Sequence, residues 1–203
     1  PQEAGVRTAC PLPYALHVHG SREGDRYILR FDNVGRQGAH FQVHDDVLGS
    51  APRGYTVEAG KQLGDSWPLA AGGRYQFSVW GPNGYFRRFA GQAGSTSQPE
   101  PELRSHYDAA RGVLNLSLLN PGPAPLIATV TDLAYGHTPR VLHVPAGQSV
   151  SSAWDLAASH HWYDLQWQLQ DRPHWLRRLA GHLETGRPSM SDPAATAPVT
   201  TAL

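Results

Sequence analysis

A stretch of this chain is written twice, and that duplication limits the folds open to it more than any other feature. Residues 55–91, YTVEAGKQLGDSWPLAAGGRYQFSVWGPNGYFRRFAG, return in altered form as residues 142–181. Val57-Glu58-Ala59-Gly60 meets Val144-Pro145-Ala146-Gly147, and Trp67-Pro68-Leu69 meets Trp154-Asp155-Leu156, each 87 positions on (147 − 60 and 154 − 67). Upstream, in the same frame, Asn33-x-Gly35 falls on Asn120-x-Gly122, Leu29 and Phe31 on Leu116 and Leu118, and Val43-x-Asp45 on Val130-x-Asp132. Near the end the frame slips to 90 (181 − 91), so that Arg87-Arg88-Phe89-Ala90-Gly91 meets Arg177-Arg178-Leu179-Ala180-Gly181. Three residues were therefore added in the last hairpin of the second copy. A unit of about 85 to 90 residues is long enough to bury its own core, so the chain reads as one duplicated unit.

The class of that unit follows from its periodicity. Tyr27, Leu29 and Phe31 alternate with Ile28, Arg30 and Asp32, and Tyr75, Phe77 and Val79 alternate with Gln76, Ser78 and Trp80. Period two is the mark of a sheet with one buried face. The second copy repeats it at Leu114, Leu116 and Leu118 and at Tyr163, Leu165 and Trp167. With 21 Gly, 17 Pro and only 17% charged residues, the composition suits many short strands joined by turns. The expected fold is all-β: two tandem small antiparallel β-sandwich domains, each of six or seven strands. The divisions are 1–13 as a lead-in linker, 14–92 as the first sandwich, 93–102 as a linker, 103–186 as the second sandwich and 187–203 as a disordered tail. Within the first copy, strands are expected at 14–19, 25–32, 39–45, 55–59, 62–69, 74–80 and 85–89. Turns fall at Gly20–Gly24, at Asn33-Val34-Gly35, where Asn and Gly tolerate positive φ, and at Gly81-Pro82-Asn83-Gly84.

Formal net charge is zero, from 17 basic and 17 acidic residues, which leaves no long-range field to gather a polyanion, so no nucleic-acid partner is expected. No run of some 18 apolar residues and no signal peptide occurs. A chain that begins at Pro1 is expected to be a piece of a longer protein. The single Cys10 cannot form an intrachain disulfide and sits in a Pro-rich approach, which reads as a linker residue. There is no G-x-S-x-G elbow, H-E-x-x-H, P-loop or Cys-x-x-Cys, so neither catalysis nor a cofactor is expected of this stretch.

The run Tyr55-Thr-Val-Glu-Ala-Gly-Lys-Gln62, Trp67, and above all Phe77-Ser-Val-Trp-Gly-Pro-Asn-Gly-Tyr-Phe-Arg-Arg-Phe-Ala-Gly91 resemble a known domain. It occurs, usually twice in tandem, at the C-terminus of bacterial phosphocholine-preferring phospholipases C. Leu12-Pro-Tyr-Ala-Leu-His-Val-His19 and Ala39-His-Phe-Gln-Val-His-Asp45 fit it too, and the resemblance spans about residues 12 to 186, weaker in the second copy. It implies a secreted or periplasmic bacterial enzyme that splits phosphatidylcholine or sphingomyelin into phosphocholine and diglyceride or ceramide. By the same resemblance the catalytic machinery belongs to an upstream domain similar to phosphatases. None of its residues maps onto this chain, and the upstream catalytic domain is the implied partner. A free-standing sandwich module for adhesion, or for binding choline or a lipid headgroup, is the alternative.

Three constellations carry candidate chemistry. His17 and His19 share a strand face, as do His40 and His44, with Asp45 and Asp46 beside them. These are transition-metal ligand types, but only His19 has a histidine, His106, at its repeat position. Trp67, Trp80, Tyr85 and Phe86 with Asp65 are residue types that hold a quaternary ammonium. Against this, Trp67 and Trp154 recur among core residues, and core packing is the favoured reading for them. Trp80, Tyr85, Phe86, Arg87 and Arg88 place aromatics beside cations at a hairpin, as a contact with a phosphatidylcholine-containing membrane surface would; Trp175, Arg177 and Arg178 preserve the combination. The competing reading has one aromatic packed inward and the arginines solvated or paired within the fold.

Overall fold

The computed structural model describes residues 5–93 and 99–196. These build an all-β molecule in which each copy of the repeat contributes seven strands. In the first copy they are β2 (Leu16–Glu23), β3 (Arg26–Asn33), β4 (Ala39–Asp45), β5 (Arg53–Val57), β6 (Gln62–Pro68), β7 (Arg74–Trp80) and β8 (Phe86–Gln92). In the second they are β9 (Glu102–Asp108), β10 (Val113–Leu119), β11 (Leu126–Asp132), β12 (Arg140–Val144), β13 (Ser149–Asp155), β14 (Trp162–Leu169) and β15 (Arg172–His182). Two short strands, β1 (Thr8–Ala9) and β16 (Ser189–Met190), bracket them.

The pairing is the same in both copies. A three-stranded antiparallel sheet, β2-β3-β6 or β9-β10-β13, packs against four strands, β5-β4-β7-β8 or β12-β11-β14-β15. This is the Greek-key division of an immunoglobulin-like sandwich. What the periodicity did not contain is the join. β8 pairs antiparallel with β15, so the two four-stranded layers fuse into one eight-stranded sheet, β12-β11-β14-β15-β8-β7-β4-β5. The strand order is a palindrome in repeat-equivalent strands. Arg88 lies in register opposite Arg178, its own counterpart, so a local two-fold axis passes through that pair.

Each sandwich has its own core. Tyr27, Leu29, Phe31, Phe41, Phe77 and Val79 fill the first around Trp67; Leu114, Leu116, Ala128, Leu165 and Trp167 fill the second around Trp154. Both aligned tryptophans are buried, and a repeat-equivalent arginine lies over each: Arg53 at 5.1 Å from Trp67 and Arg140 at 4.0 Å from Trp154.

β4 and β7 fall where the alternation puts them. The first hairpin does not. β2 continues through Gly20 to Glu23, and the turn is Gly24–Asp25, with Gly24 at φ 61° and Glu23 opposite Arg26. Gly20 is a mid-strand residue because the Tyr27 and Phe89 rings occupy the space a Cβ would need, 2.8 Å from Phe89. Asn33 and Gly35 likewise serve another purpose than the one expected, since neither takes a positive φ. The buried Asn33 carboxamide donates to the carbonyls of Gln37 (2.8 Å) and Val57 (3.0 Å) and accepts from the Gly35 amide (3.0 Å). Asn120 does the same with Ala124, Val144 and Gly122. The repeated Asn-x-Gly is thus an internal brace that ties the loop after β3 or β10 to the end of β5 or β12 through buried side-chain hydrogen bonds.

The ends also differ from expectation. Thr8–Ala9, within the stretch expected as lead-in, pairs with Ser189–Met190 from the expected tail. Trp162 fixes the pair by donating from Nε1 to the Met190 carbonyl at 2.9 Å. Residues 197–203 of the expected tail and 94–98 of the expected linker lie outside the described residues.

Candidate functional site

The repeated motif Arg-Arg-x-Ala-Gly forms the seam between the halves, and its phase decides what each residue does. On β8 the side chains of Arg87 and Phe89 point to the core side while Arg88 and Ala90 point outward, as period two requires. Arg87 is 1% exposed. It crosses the seam: Nη1 donates to the carbonyls of Phe86 and Ala180, each at 2.8 Å, and Nη2 donates to the hydroxyls of Tyr163 (2.9 Å) and Tyr107 (3.0 Å). Its guanidinium lies 4.0 Å from the Tyr85 ring centre. Arg177 mirrors it, donating to the carbonyls of Leu176 and Ala90, to Tyr75 Oη at 2.9 Å, and to Glu100 at 3.5 Å, with Trp175 in the place of Tyr85. Each half inserts one arginine into the other half's tyrosines. The closing glycine of each motif makes room for this: Tyr75 lies across Gly91, where a Cβ would stand only 2.4 Å from the phenol Cζ, and Tyr163 lies across Gly181 with its hydroxyl 3.1 Å from the would-be Cβ. Glu100, from the expected linker, accepts the Tyr75 hydroxyl.

This geometry redistributes the residues proposed for lipid or choline contact. Trp80 is exposed, at 52%. Arg88 is half-buried on the outer face, with Nε 3.4 Å from Ser78 Oγ. Tyr85, Phe86 and Arg87 are buried and do not reach a surface as they stand. Phe86 is capped by Trp80 at 4.5 Å between ring centres and flanked by Arg88 and Arg178. Tyr85 packs edge-on to Phe41 and under Arg87. The five-residue connection explains the change: Asn83 and Gly84, at φ 54° and 71°, centre a tight turn from Pro82 to Tyr85, and Tyr85 returns inward before β8 begins. An open aromatic cage does not form either. Trp67 is in the core, and Asp65 is taken by Arg53 (2.9 Å) and the Tyr55 hydroxyl (2.5 Å). The aromatic faces of Tyr85, Tyr163, Trp175, Trp67 and Trp154 each hold an arginine of the chain itself.

The histidines separate. His17 and His19 lie on β2, in a three-stranded sheet, and His40 and His44 on β4, in the eight-stranded one. Among the described residues no group of three or more His, Cys, Asp or Glu side chains is placed to hold a metal ion. His40 Nδ1 sits 3.0 Å from Thr56 Oγ1. His17 belongs to the seam, stacked on His19 and tilted against Tyr107 at 4.7 Å, with Nδ1 3.0 Å from Ser105 Oγ.

Burial, aided by His19 and Arg87, pushes His17 down to about 3, and burial with Arg87 and Arg104 pushes His19 down to about 4. An unfolded histidine titrates near 6.5. Between those values the unfolded chain binds protons that the folded chain refuses. Stability is therefore complete above about pH 6.5 and falls as the pH drops through that window. Urea midpoints at pH 7.5 and 5.0 are expected to show the loss, and a His17→Gln, His19→Gln double variant to flatten it.

Tyr75, Tyr107, Tyr163 and Glu100 are seam residues that no motif announced. The available signal was Arg87 standing in phase with Phe89 and Gly91, a charged residue on a core face in both copies.

A family model described as "Bacterial phospholipase C, C-terminal domain" matches residues 8–92 and again 101–182, the two sandwiches found here. The chain belongs to that family. It is 44% identical over 198 residues to a "Non-hemolytic phospholipase C" of Burkholderia pseudomallei (strain K96243), covering 95% of this chain and 28% of that protein. A "Non-hemolytic phospholipase C" of Pseudomonas aeruginosa PAO1 is 40% identical (95% and 29%), and a "Hemolytic phospholipase C" of the same strain 36% identical (95% and 30%). The chain thus spans less than a third of the length of the curated relatives it matches. Among solved structures, a bacterial ice-binding adhesin overlays with a TM-score of 0.27 at 10% identity, over 85% of this chain and 65% of that one.

Proposed function

We propose that this chain is the non-catalytic accessory region of a bacterial phospholipase C whose full-length form is secreted or periplasmic and hydrolyses phosphatidylcholine or sphingomyelin to phosphocholine and diglyceride or ceramide. Its task is to dock onto the catalytic domain that precedes it in the same polypeptide. The observation that carries this reading is the match of both sandwiches to a C-terminal domain while more than two thirds of each phospholipase C relative lies outside the chain. The internal use of the arginines and aromatics supports a structural role over a headgroup-binding one.

The test compares phosphocholine release from phosphatidylcholine by three proteins: the full polypeptide, that polypeptide truncated before residue 8, and this chain alone. Activity is expected in the first and absent from the third. Release by this chain alone would overturn the reading.

Contact with a lipid surface is a second reading, and it rests on exposed Trp80 with Arg88 beside it. Co-sedimentation of this chain with phosphatidylcholine vesicles, lost in Trp80→Ala, would favour it. Competition by choline would point to the headgroup.

A further inference from the structure

We infer that the outer face of the eight-stranded sheet, centred on Trp80, Arg88 and Arg178, is the surface that receives the upstream domain; this rests on the docking role proposed above. In each sandwich the inner face of the four-stranded layer is covered by a three-stranded sheet, whereas the outer face carries β16 at its Trp162–His182 end and, among the described residues, no such sheet over Trp80, Arg88 and Arg178. Seven strand spacings make it about 34 Å wide, and the rows from Gln76 to Trp80 extend it about 14 Å along the strands. An area on the order of 500 Å² is most of the roughly 800 Å² that one partner contributes to a standard stable interface.

Its chemistry suits a protein partner. Ala90, Leu176, Ala180 and Ile127 lie on it with glutamines and threonines between them, Phe86 is buried beneath Trp80, and charges are few, as in the centre of an interface rather than at its rim. Trp80 and the two arginines are residue types that anchor such contacts. The arginines also state what the partner should bring. Arg178 is held by Asp164 through two bonds of 2.7 and 2.6 Å. Arg88, directly opposite Arg178, has no carboxylate of the described residues within ion-pair distance and reaches Asp46 only through Ser78. Two adjacent guanidiniums against one bonded carboxylate ask for a carboxylate from the partner.

The path of the chain points the same way. Trp80, Phe86, Ala180 and Asp164 form one cross-strand row, and His182–Trp162 lies two residues further along β15 and β14. Trp162 and His182 hold Met190 and Ser189, the partners of Thr8 and Ala9. Chain arriving at residue 8 therefore comes in at the Trp80 end of this face, about 15 Å from that indole by strand spacings.

Hydroxyl-radical footprinting of this chain alone and of the full polypeptide that carries it tests the assignment, read by mass spectrometry at Trp80, Val34 and Leu63. The expected result is a several-fold fall in Trp80 oxidation in the full polypeptide, with Val34 and Leu63 unchanged. Arg88→Glu in the full polypeptide is expected to restore much of it, its folding checked by an unaltered melting temperature of the same variant of this chain. Protection at Val34 or Leu63 instead of Trp80 would overturn the face and leave docking standing. No protection anywhere would overturn docking itself. Trp80 protection that appears only with added phosphatidylcholine vesicles would assign the face to lipid, and protection that survives in Arg88→Glu would remove Arg88 from the contact.

Discussion

Arg87→Ala is expected to lower the folding free energy of this chain by about 3–5 kcal/mol, the cost typical of removing one partner from a buried charged network. The substitution leaves more than a hole. Arg87 satisfies the carbonyls of Phe86 and Ala180 and the hydroxyls of Tyr107 and Tyr163, which otherwise have each other at 2.6 Å. The two carbonyls would lose the buried donor they share, and unpaired buried acceptors cost about 1–3 kcal/mol each. Tyr85 would lose the cation above its ring as well. Because the residue comes from one half and three of its four hydrogen-bond partners from the other, the loss should fall on both cores at once. Urea denaturation followed by tryptophan fluorescence checks this: a lower midpoint in one shared transition is the expected outcome. A variant as stable as the parent would mean that the seam does not hold the halves together. The expectation differs from what Arg87 would do at a lipid face, where its loss would weaken vesicle binding and leave stability untouched.

Trp154→Ala is expected to cost a similar amount, about 3–5 kcal/mol, by a different route: the transfer free energy of a buried indole plus the cavity it leaves. Trp154 is fully buried among Leu114, Leu116, Val130 and Leu165 in the second core. Arg140 lies over its ring, and His137, which bonds Asp132 at 2.6 Å, meets it edge-on. Removing the indole exposes that polar cluster to a cavity it was packed to seal. The measurement is again a denaturant midpoint, with Trp80→Ala as the contrast; an exposed indole should cost little stability. If the two tryptophans cost the same, the assignment of core and surface here is wrong.

Much of the fold was legible in the residues. The duplication at a spacing of 87 sets two equal units, period-two alternation sets their strands, and the recurrence of Trp67 at Trp154 marks their core anchors. Trp80, one residue past Val79, was legible as outward because adjacent strand residues point to opposite faces. Asn33 and Asn120 were found as paired positions but given the wrong role. A turn residue and a buried brace carry the same side chain, and only the positions of the Val57 and Val144 carbonyls tell them apart.

The seam was not legible in the same way. Alternation says on which side of its own strand Arg87 points, and the sequence alone fixed that much. It says nothing of what stands beside the strand. β8 is an edge of its own sandwich until β15 pairs with it, and that pairing turns a position at a domain margin into the interior of an eight-stranded sheet. Whether an arginine there is a solvated cation or a buried bridge therefore depended on contacts between residues some 90 positions apart, which local pattern does not encode. The strands, the repeat and the two cores were determined by the order of the residues; the fusion of the halves, and with it the roles of Arg87, Arg177 and their tyrosines, was decided only where the chain folds back on its own copy.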